Sequence, residues 1–127
     1  MKIDGQGVVE TDTHLVFGLR DPFFSAYKKY RWTAKEEGIG ISRELIRVAY
    51  RKGKKIIAVY NSIRFEIAPI KIAEYYKNAT IKPLHKAHAG VLLVVIPLSL
   101  FTKLEGTFNF EEYKKKESER VKVNNLF

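Results

Sequence analysis

The chain of 127 residues contains no cysteine and a single glutamine, Gln6. Without cysteine there is no disulfide framework, no Cys-ligated zinc, no iron–sulfur cluster and no thiol nucleophile. Long apolar runs are missing as well. The longest, residues 89–101, is interrupted by Gly90, Pro97 and Ser99, and a membrane-spanning helix needs about 20 apolar residues. Met1-Lys2-Ile3-Asp4-Gly5 opens without an apolar h-region or a cleavage-site pattern. No signal peptide is therefore expected, no membrane partner is expected, and the expected compartment is the cytoplasm. Abundant lysine with almost no glutamine is a composition found in hyperthermophile proteins, which bears on source and not on function.

Acidic residues are scarce in one place. Between residues 41 and 64, seven cations (Arg43, Arg47, Arg51, Lys52, Lys54, Lys55 and Arg64) face Glu44 alone. Residues 1–40 and 105–127 each balance and residues 65–104 carry +3, so two thirds of the formal net charge of +9 lies in this stretch. Charge concentrated in this way makes a steering field for polyanions, whereas an even spread argues only for solubility.

With 46% apolar and 13% aromatic residues, the chain can bury a core, and its length fits one domain. The expected architecture is a single α+β domain over residues 1–127, with an antiparallel-rich mixed sheet and two to three packed helices. Residues 114–127 are expected as a polar surface helix or frayed tail. Residues 7–19 read as two short strands around Thr11-Asp12-Thr13. Asp21-Pro22 reads as a helix start, followed by Phe23, Tyr27 and Tyr30 on one stripe. Gly38-Ile39-Gly40 reads as a tight connection.

The segment 41–53 carries a strong helix signal. Ser42 is the N-cap, Ile41 and Ile46 have the spacing of a hydrophobic staple, and Gly53 suits the left-handed residue after the last turn. Leu45, Ile46 and Ala49 supply the inward face. Arg43, Arg47 and Arg51 recur every fourth residue on the outward side, and Lys54 continues the stripe if the helix runs one turn further. A hairpin follows, 56–60 and 63–68 around Asn61-Ser62. Pro69 opens another helix, with Ile70, Ala73 and Tyr76 or Lys77 at helical spacing. Residues 78–89 read as a loop, residues 90–96 as a strand covered on both faces, and 98–104 as strand or short helix.

Guanidinium groups about 6 Å apart can meet successive phosphate oxygens. The candidate nucleic-acid contacts are therefore Arg43, Arg47, Arg51, Lys52, Lys54, Lys55 and Arg64, with Tyr50 and Tyr60 placed to stack on bases. Residues 32–51 also resemble a helix-turn-helix. Ile39-Gly40-Ile41 would be its turn, residues 42–46 the start of its recognition helix, and the 56–68 hairpin a wing. That resemblance implies Arg43 and Arg47 near base edges or phosphates in a major groove. Glu36 and Gly38 depart from its usual pattern.

Catalytic chemistry has less to stand on. Asp12, Asp21, Glu44 and Glu66 are the best-placed carboxylates. The order helix, hairpin, helix, buried strand resembles the core of restriction-endonuclease-like nucleases, which hold metal with an Asp on one strand and Glu-x-Lys on the next. Here Glu66-Ile67-Ala68 lacks the lysine, and no Asp lies in the preceding strand. His85 and His88 sit among Lys82 and Lys86, a poor setting for a metal. Gly38-Ile39-Gly40-Ile41-Ser42 lacks the lysine of a phosphate-binding loop.

The function expected is thus non-enzymatic binding of nucleic acid, double-stranded DNA rather than RNA, through residues 41–64. No cofactor, metal or catalytic residue is expected, and a homodimer is compatible with a DNA binder of this size. The alternatives are a small metal-dependent nuclease, a catalytically inactive nuclease-like domain, or an interaction module for an acidic protein.

Overall fold

The computed structural model describes residues 2–3, 6–19, 38–78, 84–86 and 92–116. Strands β1 (Lys2–Ile3), β2 (Gln6–Glu10) and β3 (His14–Gly18) run antiparallel in succession. Then come β4 (Gly38–Ser42), helix α1 (Arg43–Lys52), β5 (Lys55–Tyr60), β6 (Ile63–Ile67) and helix α2 (Pro69–Asn78). Strands β7 (Leu84–Lys86), β8 (Leu92–Pro97) and β9 (Thr102–Leu104) follow, and residues 110–116 form helix α3. The expected helix after Asp21-Pro22, together with Trp32 and His88, lies outside the described residues.

Six strands form one mixed sheet in the order β1-β2-β3-β5-β6-β9, with β3 and β5 its parallel pair. Three more, β4-β8-β7, form a second, antiparallel sheet. The α+β class expected from sequence is therefore the class observed. Among the described residues no helix is long and apolar enough to cross a membrane.

Local chemistry explains the hairpins. Between β2 and β3, Thr11 Oγ1 accepts hydrogen bonds from the backbone of Thr13 and His14, and Thr11 N donates to the His14 carbonyl at 2.9 Å. This is the side-chain-supported turn that Thr-Asp-Thr favours. Between β5 and β6, Asn61 and Ser62 both have positive φ, 50° and 65°, while Tyr60 pairs with Ile63. Two consecutive left-handed residues twist a two-residue turn in the sense of the strands it joins.

Because side chains alternate along a strand, the main sheet has two distinct faces. Leu15, Phe17, Ile56, Ala58, Phe65 and Ile67 point one way, into a core shared with α1, β4 and β8. Val16, Ile57 and Val59 point the other way and are covered by Leu104, Phe108, Phe110 and Tyr113. Burying each of those valines and isoleucines is worth roughly 1.5–3 kcal/mol, so the segment after β9 is a layer of the fold. Its docking is fixed by backbone: Phe108 N donates to the Ser62 carbonyl at 2.9 Å. The Asn109 side chain then accepts from Glu112 N and caps α3.

Three sequence expectations are corrected. Residues 38–42 are a fully buried strand paired with β8, not a connection or the turn of a helix-turn-helix. The period is two, with Ile39 and Ile41 in the core and Gly40 between them, and Gly38 lets β8 close in. A Cβ at Gly38 would stand 2.7 Å from Val95 Cγ1. Second, residues 84–86, expected in a loop, add β7 to the edge of β8, so His85 is a strand residue. Third, the buried stripe of α2 is Pro69, Ile72 and Tyr76, one step from the expected Ile70 and Ala73, which are exposed. The 98–104 stretch holds both expected forms, a short 3₁₀ turn at Leu98–Leu100 and then β9.

Two substitutions test this packing. Gly38→Ala is expected to destabilise the fold by about 1–3 kcal/mol, read as a lower denaturant midpoint at unchanged slope. Ser62→Gly relieves a left-handed non-glycine residue and is expected to stabilise it by about 1 kcal/mol, seen as a higher melting temperature.

Candidate nucleic-acid interface

Helix α1 is built as its sequence requires. Ser42 Oγ accepts from Leu45 N at 3.5 Å, and Gly53 at φ 65° returns its N–H to the Ala49 and Tyr50 carbonyls. Leu45, Val48 and Ala49 are buried, and Ile46 packs half-buried at their edge. Arg43, Arg47 and Arg51 stand exposed along one stripe, with successive guanidiniums about one helical turn apart. None of the three pairs with another described residue.

The other four expected contacts are placed differently. Helix α1 ends at Lys52, so Lys54 does not continue the stripe. Lys54 Nζ turns to Glu10 Oε2 at 2.5 Å and to the Thr11 carbonyl at 2.6 Å. Lys52 Nζ reaches both oxygens of the same carboxylate at 3.0 Å. Glu10 thus clamps the end of α1 to β2, and the two lysines, with Lys54 the stronger influence, hold its pKa below the ordinary 4.5.

Strand parity places the remaining two on the other face of the sheet. Lys55 alternates with Ile56, and Arg64 with Phe65, so both point away from α1. Lys55 Nζ lies 3.8 Å from Glu66 Oε1. Arg64 donates to the Glu105 carbonyl at 2.6 Å and lies over the Phe108 ring, 5.1 Å from its centroid. Its Nε is buried without a partner among the described residues. Of the seven expected contacts, the structure brings together Arg43, Arg47 and Arg51.

Beside that stripe runs a groove of about 400 Å³ between α1 and α2. Ile46, Tyr50 and the stems of Arg47 and Arg51 form the α1 wall. Ile72, Ala73 and Tyr76 belong to the α2 wall. The two expected stacking residues part company here. Tyr50 is 56% exposed on the groove, whereas Tyr60 is half-buried against the core at the end of β5. Tyr76 gives the groove only its ring, because its hydroxyl donates to the Val95 carbonyl at 2.5 Å. Burial, with Tyr75 alongside, raises that hydroxyl far above the usual phenol pKa.

The candidate carboxylates do not assemble a catalytic centre among the described residues. Asp12 lies in the β2–β3 turn and Glu44 in the first turn of α1, both exposed, while Asp21 lies outside the described residues. Glu66 is engaged with His14, whose Nε2 is 2.8 Å from Oε2, while His14 Nδ1 lies 2.7 Å from Thr13 Oγ1. That chain of contacts ties β3 to β6 across β5. Among the described residues no group of three His, Asp or Glu side chains is placed to hold a metal.

Sequence reasoning did not find Glu10 or the α2 wall. The Glu10 pairing spans more than 40 residues and leaves no local signal. The α2 wall was present as a helical period read one position out of phase. The chain matches no protein-family model, no curated protein and no solved structure.

The Glu10 clamp has a pH signature. A carboxylate whose pKa is lowered on folding contributes stability that is full above its unfolded value and is lost as pH falls through the folded one. Glu10→Gln is therefore expected to destabilise by about 1 kcal/mol above pH 5, the scale of exposed ion pairs. The gap to wild type narrows as pH drops well below 4.5, measured by thermal unfolding from pH 2 to 7.

Proposed function

We propose that the protein binds nucleic acid without catalysing a reaction on it, through the arginine face of α1. One observation carries this reading. Arg43, Arg47 and Arg51 are exposed and unpaired among the described residues, while Lys52, Lys54, Lys55 and Arg64 each have a partner within the fold. A solvated, self-neutralising helix face would alternate in sign; here Glu44 is the one acid on ten helical residues that hold four cations.

Phosphate is the chemistry that three guanidiniums in a row suit best, each able to donate two parallel hydrogen bonds to an anionic oxygen. Duplex DNA in the cytoplasm is the partner that the sequence reading favours. In that complex α1 lies along the backbone or enters the major groove with its N-terminal half, and a homodimer would present two such faces. An acidic protein partner is the second reading, supported by the apolar groove beside the stripe.

Salt-dependent binding separates these. Wild-type affinity for DNA is expected to fall steeply with salt, and the Arg43→Ala/Arg47→Ala/Arg51→Ala variant to show a slope shallower by about 2–3 units. Glu10→Gln, which releases Lys52 and Lys54, is expected to steepen the slope. Absence of wild-type binding to any nucleic acid at moderate salt contradicts the proposal.

A further inference from the structure

The groove between α1 and α2 offers more than charge, and we infer that it takes an unpaired base, so that this face prefers single-stranded nucleic acid to the duplex that the sequence reading favours. The inference rests on the arginine face being a nucleic-acid contact and specifies the form of that nucleic acid.

Three features of the groove point to this occupant. The first is Tyr50, an aromatic residue left 56% exposed on the same helix as three arginines that are unpaired among the described residues. Its ring is amphipathic and stiff, and a base stacked on it would bury surface now facing water. The second is the opposite wall, where Ala73 is exposed beside the buried Ile72 and the Tyr76 hydroxyl is already engaged with Val95. Apart from the arginines and the Tyr50 hydroxyl, these walls have little to read a base edge, so a base held there is gripped by its faces and any base is accepted. The third is charge complementarity. Arg47 and Arg51 border the groove, and Arg43 continues their line one turn away.

A polymer that suits this arrangement carries a flat apolar group and an anion in every repeating unit, the group entering the groove and the anions lying along the stripe. Single-stranded nucleic acid has that form. A duplex offers the same phosphates but keeps its bases stacked and paired, so it would use the arginines and leave the groove empty. A groove of about 400 Å³ lies within the usual range for small-molecule sites and has room for a base.

The test uses the full chain with a short oligodeoxynucleotide carrying one 2-aminopurine, the same sequence as a duplex, and an amphipathic glutamate-rich peptide. Wild type is expected to bind the single strand at least about 5-fold more tightly than the duplex, the scale of one stacked base, and to quench the 2-aminopurine. Tyr50→Ala and Ala73→Leu, both at exposed positions, are expected to lose that preference and the quenching while keeping duplex affinity. The triple arginine variant is expected to lose both. Suppose Tyr50→Ala and Ala73→Leu bind the single strand as wild type does, while the arginine variant fails on both forms. The groove inference is then overturned and the nucleic-acid reading stands. If wild type binds neither form, both fall, and tight binding of the acidic peptide would identify a protein partner.

Discussion

The alternation of side chains across β3, β5 and β6 governs most of what this molecule presents to its surroundings. These strands are the middle of the main sheet, and both of their faces are buried. One face receives α1 and the second sheet, and the other receives the chain after β9. Once Ile56, Ala58, Phe65 and Ile67 are committed to the α1 side, Lys55, Arg64 and Glu66 must emerge on the opposite side. A slip of one residue in β5 or β6 would exchange the two sets and bury charge. The distribution of surface cations therefore follows from apolar packing.

Electrostatics then sorts what parity leaves. The carboxylate of Glu10, on β2, meets Lys52 and Lys54 just where α1 ends and the chain turns into β5. Positive side chains near the C-terminus of a helix already have a favourable interaction with its dipole, and the clamp fixes them there. Arg43, Arg47 and Arg51 are left as the exposed cations of this region without a partner among the described residues. They are arginines on a rigid helix, bordered by an exposed tyrosine and an apolar groove, so that a planar ligand group and a row of anions can be met side by side. Glu66 holds Lys55 and His14 on the far face, and Arg64 lies over the Phe108 ring.

How much of this could be read from sequence depended on the range of the interactions involved. The α1 caps, the Asn61-Ser62 turn and the β2–β3 hairpin depend on neighbours a few residues apart, and all were legible. The α+β class followed from the same local periods. Gly38-Ile39-Gly40-Ile41 was misjudged because glycine usually marks a turn; here it clears space for Val95, a contact that only the folded sheet creates. Leu84–Lys86 was missed because an edge strand of three residues has too short a period to register. The arginine stripe was legible as a helical repeat. Its isolation from Lys54, Lys55 and Arg64 was not, because strand parity relative to a distant helix and a carboxylate 40 residues upstream decide it.

On the proposed reading one narrow surface, the outward face of α1 with the adjoining groove, meets nucleic acid, and the other cations of this region serve the fold. Backbone amide chemical shifts of isotopically labelled protein, titrated with a short oligonucleotide at moderate salt, address it most directly. The expected shifts are concentrated in residues 43–51 and along α2 from 69 to 76, with β6, β9 and the 105–113 segment unmoved. Shifts centred on Lys55 and Arg64, or none anywhere in the described residues, would contradict it.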